Sequence, residues 1–226
     1  MGCDIHIAIQ CQEPDGQWAN VPWQHVWSFK GADAAVEGIP VAPDVFRNRN
    51  YDLFGILANV RNGSGFAGIK TGEGWPSIAP DRGWPEGFSV ESLGPDPRYP
   101  QGGNRDLGDH SFTWVSLDEL KAFDWDGTGT WIYGVVPADE YERLSVAGGR
   151  PRSYCGGISG PGIRTYEPDD YKLAKSVGQL PPRPHVRMVW PETAREATGD
   201  WPGRVFPWLD ELAAGRPLRL VMGFDS

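Results

Sequence analysis

Residues 2–12 read GCDIHIAIQCQ and residues 218–225 read LRLVMGFD, and these two stretches decide the fold. In the first, Cys3, Ile5, Ile7, Ile9 and Cys11 fall on one face at period two, with Asp4, His6, Ala8 and Gln10 on the other. In the second, Leu218, Leu220, Met222 and Phe224 alternate with Arg219, Val221, Gly223 and Asp225. Both read as strands of one sheet with an apolar and a partly polar face. Chain ends that meet in one sheet favour a single domain over residues 1–226.

Working inward, helical spacing takes over. Tyr51, Leu53, Phe54, Leu57 and Val60 share a helical face, with Asn50 as N-cap and Asn62-Gly63 as the stop. Ser116 and Glu119 form a capping box for a short helix through Leu120 and Phe123. Pro137 opens a helix carrying Tyr141 and Leu144, which Gly148 closes. Pro207 opens a last helix with Trp208, Leu209 and Leu212 on one side and Gly215 as C-cap. Between Gly63 and Gly108, 17 of 46 residues are Gly or Pro, which predicts a long irregular loop. Its Phe66, Trp75, Trp84 and Phe88 are expected to pack down over the body. A second irregular stretch, Gly148 to Gly162, contains Tyr154-Cys155-Gly156-Gly157. The expected class is α+β: a mixed or antiparallel sheet holding both terminal strands, several short helices and long Gly/Pro-rich loops.

Composition narrows the function classes. The 226 residues are 39% hydrophobic and 12% aromatic with a net charge of -9, which argues for a packed domain and against non-specific nucleic-acid binding. Net charge describes the far field, so a local cationic pocket stays open. No apolar run approaches the roughly 20 residues a membrane span needs, and no basic region followed by an apolar stretch marks a signal peptide. Cys3, Cys11 and Cys155 form no CxxC and suit a reduced compartment. The expected location is the cytoplasm.

Asp4 and His6 leave one strand face together, a common beginning of a metal site. Asp109-His110-Ser111 follows the long loop, and Asp225 lies on the last strand. If the terminal strands are neighbours, Asp4, His6, His110 and Asp225 could hold Mn²⁺, Mg²⁺, Fe²⁺ or Zn²⁺, with Asp4, His6, Asp109 and His110 as the catalytic set. The likeness of DIH and GNRD (Gly103 to Asp106) to a metallophosphoesterase pattern is set aside as accidental, because no Asn-His pair follows. A Ser–His–Asp triad from three adjacent residues is set aside because such neighbours rarely point at one another. The arginines suggest a different chemistry. Arg47, Arg49, Arg61, Arg82, Arg105, Arg152, Arg164 and Arg219 lie in or beside Gly-rich or aromatic segments, and 11 Trp supply stacking surfaces. Arginine forks, an aromatic platform and Gly-rich backbone are what a small nucleotide needs. Arg49, Tyr51, Arg61, Ser111, Trp114 and Arg164 are the candidate ligand-binding residues.

The opening Met1-Gly2-Cys3-Asp4-Ile5-His6, the run Arg49 to Phe54 leading to Leu57-Ala58-Asn59-Val60-Arg61, Gly108-Asp109-His110-Ser111 with Trp114, and the close at Val221 to Asp225 resemble an uncharacterised family of phage and prophage proteins. The family's usual acidic residue at position 10 is Gln10 here. The resemblance implies a small protein of the host-cell cytoplasm and, by analogy of context, a counter-defence factor. The first expectation is a binder that sequesters a small nucleotide-type immune signal of the cyclic dinucleotide or cyclic ADP-ribose class. The alternative is a metal-dependent phosphodiesterase or nucleotide hydrolase that cleaves such a signal. A third is an acidic protein inhibitor of a host factor, as a nucleic-acid mimic. Oligomeric state is open, a homo-oligomer being one way to build such a site at a subunit interface.

Overall fold

The structure, a computed structural model, describes residues 2–24, 36–94 and 106–225. In chain order its elements are β1 (Asp4–Gln12), β2 (Trp18–Val21), α1 (Tyr51–Ala58), β3 (His110–Ser116), α2 (Leu117–Ala122), β4 (Gly129–Pro137) and α3 (Ala138–Ala147). These are followed by β5 (Ile163–Tyr166), α4 (Pro168–Ser176), β6 (Arg183–Thr193), α5 (Ala194–Ala197), α6 (Trp201–Ala213) and β7 (Leu218–Asp225). The fold is α+β, with both terminal strands in an antiparallel sheet.

That first sheet has the order β2-β1-β7-β3, so the chain's two ends pair at its centre. The register runs from Asp4↔Asp225 to Cys11↔Leu218. Cys3, Ile5, Ile7, Ile9 and Cys11 are buried with Leu218, Leu220, Met222 and Phe224 in the main core. The second face is drier than alternation alone predicts. Ala8, Leu107 and Val221 are buried there beneath Trp84, Phe88, Leu93 and Trp114, so the irregular loop does pack down. Phe66 is the exception, 59% exposed. Arg219 is buried on this face, where its guanidinium donates twice to Gln10 Oε1 (2.9 and 2.8 Å) and lies 4.1 Å from the Trp18 ring centroid. Position 10 therefore serves Arg219 and stands away from the Asp4 end of the strand.

The second sheet, β4-β6-β5, is antiparallel between β4 and β6 and parallel between β5 and β6. The outer edge of β4 is covered by loop backbone. Tyr133 N–H donates to Thr71 O at 2.8 Å, and Val135 N–H donates to Cys155 O at 2.7 Å. Such pairing blunts an edge that would otherwise invite another strand. Ile132 and Trp190 join the main core, so one continuous apolar body backs both sheets.

The helices follow local chemistry with two corrections. Asn50 caps α1 through Leu53 N, but the helix ends at Ala58 because Asn59 takes the left-handed conformation (φ 60°). Asn62 instead ties this turn to Trp75, accepting from its N–H at 2.6 Å and donating to its carbonyl at 2.8 Å. The Ser116–Glu119 capping box is formed at α2, and Gly148 closes α3. Pro207 does not open the last helix. It lies inside α6, which begins at Trp201, is capped by Asp200 and has Pro202 in its first turn. Trp201, Val205, Leu209 and Ala213, four residues apart, bury one stripe, and Ala214 rather than Gly215 is the left-handed C-cap. A proline in the seventh position forfeits one internal bond, while Trp201 and Phe206 on the same helix pack with Trp125.

Two glycines let the loop leading into β3 reach β7. A Cβ on Gly223 would strike the Leu107 carbonyl, and one on Gly108 (φ 79°) would strike the Phe224 carbonyl. Both obstacles are backbone, so neither can swing aside. Gly223→Ala is expected to destabilise the fold by about 1–3 kcal/mol, the usual cost of overpacking, read as a lower denaturant midpoint at unchanged slope.

Candidate functional site

The centre of the first sheet ends in a polar cluster. Because Asp4 pairs with Asp225, Asp4 N–H donates to Asp225 Oδ1 at 3.0 Å, and His6 Nε2 lies 3.0 Å from Asp225 Oδ2. His6 Nδ1 is 3.6 Å from Asp106 Oδ1, so the imidazole stands between two carboxylates. Arg49 clamps Asp4 with a two-pronged pair, Nε to Oδ1 at 2.8 Å and Nη2 to Oδ2 at 2.6 Å. The clamp holds the Asp4 carboxyl below its ordinary 3.8. Tyr51 Oη accepts from Cys3 N–H at 3.3 Å, and Arg61 lies 5.8 Å from the Tyr51 ring centroid. Burial pushes the Cys3 thiol up, partly opposed by Arg61 beside it.

Of the proposed metal set, Asp4, His6 and Asp225 meet in this cluster and His110 does not. Asp4, His6 and Asp225 share the outer face of the sheet. His110 pairs with Phe224 across β3 and stacks on its ring (6.2 Å, 24°), and Phe224 belongs to the core face. Asp4 is committed to Arg49, and Asp109 is exposed. Among the described residues no group of three or more His, Cys, Asp or Glu could hold an ion, so the donors present do not fit one.

The proposed ligand-binding set is also divided. Arg49, Tyr51 and Arg61 meet at the strand ends. Trp114 stands beneath Arg82 and Arg219 on the outer face of β3, while Arg164 lies over Tyr166 on the second sheet. Arg82 is paired with Glu119, and Arg105 lies outside the described residues. Ser111 and His110 are an exception to the rule that sequence neighbours rarely point at one another, since His110 Nδ1 is 2.9 Å from Ser111 Oγ, while Asp109 stays exposed. A register shift between His110 and Thr113, with Ser111 at φ 52°, turns the hydroxyl back onto the ring. Asp106, dismissed with the GNRD motif, is the residue that loop geometry brings to His6.

A cleft of about 430 Å³ opens on the other side of the segment that carries Arg49. Asn48, Asn50 and Leu53 line one wall, and Arg150, Arg152, Ser153 and Tyr154 line another. Glu192, at the end of β6, and residues 196–199, after it, complete it. The loop at 150–154 is pinned from behind. Arg152 N–H donates to Glu140 Oε1 at 2.8 Å while Arg143 grips the same carboxylate at 2.9 and 2.7 Å, and together they hold Glu140 down to about 2. Arg150 Nη1 donates to the Glu196 carbonyl at 3.2 Å. Among the described residues neither Arg150 nor Arg152 has a carboxylate within ion-pair distance.

Tyr154 stands edge-on to Trp190 at 4.7 Å, and Gly134 makes room for both rings, since a Cβ there would approach each within 3 Å. Burial and the neighbouring Asp52 and Glu192 carboxylates raise the Tyr154 phenol. Burial likewise raises Asp52, whose Oδ1 accepts from Trp75 Nε1 at 2.8 Å. Arg150, Tyr154, Glu192 and Asp52 were absent from the sequence-derived set. One signal was available: Val186, Met188 and Trp190 alternate inward on β6, and the next inward position is the carboxylate Glu192.

No family model, curated protein or solved structure matches the chain.

The Arg49–Asp4 pair has a pH signature. A carboxyl whose folded pKa is depressed stabilises the fold above its unfolded value, and that contribution is lost as pH falls through the folded value. Both side chains are about half exposed, so the effect is under about 1 kcal/mol. Arg49→Ala is expected to lower Tm slightly at neutral pH, and the gap to wild type is expected to close as the solution is acidified below the ordinary Asp range. Thermal melts of both proteins across pH check this.

Proposed function

We propose that the protein binds a small nucleotide-type ligand in the cleft between residues 45–53 and the loop at 150–154. The observation that carries this reading is the pairing of Arg150 and Arg152, neither with a carboxylate partner among the described residues, with an aromatic wall at Tyr154. Arginine forks suit phosphate oxygens, and an aromatic face suits a base. Asn48 and Asn50 add polar lining opposite, although Asn50 already donates to the Ala197 carbonyl at 3.0 Å. A volume of about 430 Å³ falls in the range of small-ligand pockets, roughly 300–1,000 Å³. Local cations matter here because the net charge of -9 repels anions at long range.

The strand-end cluster supports this function less well, because its strongest cation, Arg49, is already satisfied by Asp4. For a metal-dependent hydrolase, the carboxylates and imidazole that meet at the strand ends are bonded to Arg49 and to one another, and no group of three or more donors among the described residues is arranged to hold an ion. The likeness to phage and prophage proteins favours an immune signal of the cyclic dinucleotide or cyclic ADP-ribose class as the ligand, and sequestration as the role.

The test combines a ligand panel with two variants. Ligand that leaves solution on mixing and returns intact after heat denaturation, followed by chromatography, identifies a binder; its return as a new product identifies an enzyme. Arg150→Ala and Arg152→Ala are each expected to weaken binding about tenfold, or about 1.4 kcal/mol by calorimetry, with unchanged circular dichroism. Unchanged affinity in both variants would sink the assignment to this cleft.

A further inference from the structure

Glu192 occupies an unusual position for a carboxylate. It is 5% exposed, on the inward face of β6, and it lines the cleft. Its Oε1 accepts from Trp190 Nε1 at 2.8 Å. No donor from a described residue reaches Oε2, and no cation from one lies within ion-pair distance. The charge of Glu192 is felt by Asp52 and Tyr154, and the one cation that acts on Tyr154 beside it is Arg150, from the loop across the cleft. A buried carboxylate is costly unless its lone pairs are used, and a carboxylate has about four acceptor sites. The side chain is thus held in place by one indole and left with acceptor capacity facing the cleft.

We propose that Glu192 selects the base of the bound nucleotide, and that the base is a guanine. The inference rests on the nucleotide reading of the cleft. Guanine carries two adjacent N–H donors on its Watson–Crick edge, the ring N1–H and the 2-amino group, which match the two oxygens of a carboxylate as an arginine fork does. Adenine sets a ring-nitrogen acceptor beside its amino group, so one lone pair would face the carboxylate. Cytosine does the same, and uracil flanks its one ring N–H with carbonyls. Tyr154 is 39% exposed and leaves ring surface for a purine to stack on, while Trp190 braces it from the edge. Arg150 and Arg152, on the same loop as Tyr154, then take the phosphate end. The cleft reads one nucleotide at both ends, a donor-rich base on the carboxylate and an anion on the arginines.

The experiment is calorimetric titration of the full chain with guanosine, inosine and adenosine monophosphates and with inorganic phosphate. It is repeated on Glu192→Gln, whose amide keeps the shape and replaces one acceptor by a donor. Guanosine monophosphate is expected to bind at least tenfold tighter than the inosine compound, which lacks the 2-amino group, and tighter still than the adenosine compound. Glu192→Gln is expected to abolish that preference, weakening binding of the guanosine compound at least tenfold, because the amide's donor and acceptor suit adenine's edge rather than guanine's two donors. Equal binding of the guanosine and adenosine compounds by wild type overturns the base assignment and leaves nucleotide binding standing. No heat from any nucleotide with folded protein overturns nucleotide binding itself. A preference that survives in Glu192→Gln overturns the role of this side chain. The ligand series is read on wild type alone, so base selection is decided even if the variant does not fold.

Discussion

The pairing of β1 with β7 brings the first strand of the chain against its last, at the centre of a four-stranded sheet. Closing so long a loop is entropically costly, and contacts of such separation form late in folding. The return comes from burial on both sides: Leu218 to Phe224 are all buried, one set of side chains in the main core and the other under the Trp84–Leu93 segment. With β7 shielded on both faces, the polar ends Asp4 and Asp225 are forced together at the rim. His6, one step in on the same face, can then only sit on Asp225. The charged cluster at the strand ends is a geometric consequence of the register. The same register, through Gly223 and Gly108, admits the backbone of residues 107–109 close enough to bring Asp106 to the imidazole.

The segment 47–52 distributes its side chains between two places. Arg49 reaches the strand-end carboxylates, and Asn48 and Asn50 line the cleft. Tyr51 turns to Cys3 while Asp52 turns to Trp75. This alternation occurs where extended chain enters α1 at the Asn50 cap, so one cap fixes the aim of several functional groups. A change that freed Asn50 would be felt at both places, because its Oδ1 caps the helix and its Nδ2 holds the Ala197 carbonyl at the cleft floor.

Much of the fold was legible because it depends on local periods. The terminal strands, the Asn50 cap and the Ser116–Glu119 box were readable from a few residues each. The start of α6 was misread because Pro207 looks like a first-turn proline, whereas the burial of Trp201 and Val205 holds the helix together through it. The site was less legible because its parts come from distant segments. Period two correctly put Asp4 and His6 on one face, but it could not tell that His110 lies on the opposite face, beside Phe224. Arginine count alone pointed to anion binding and missed which arginines are already spent. Arg49, Arg82 and Arg219 look exposed and available in sequence, yet each is bonded inside the fold.

That distinction between spent and unspent polar groups also separates the two candidate sites. At the strand ends, cation meets carboxylate and imidazole meets carboxylate, so a ligand would first have to displace these internal partners. At the cleft, the loop at 150–154 is rigidified from behind by Glu140 and Arg143, and among the described residues neither Arg150 nor Arg152 forms an ion pair with a carboxylate. Glu192 is similarly held by Trp190 on one oxygen and open on the other. A surface built this way keeps its recognition groups oriented without satisfying them internally, and binding then costs little in ordering or in lost contacts. The strand-end cluster is accordingly closed on itself, whereas the cleft keeps oriented polar groups that the fold does not use up.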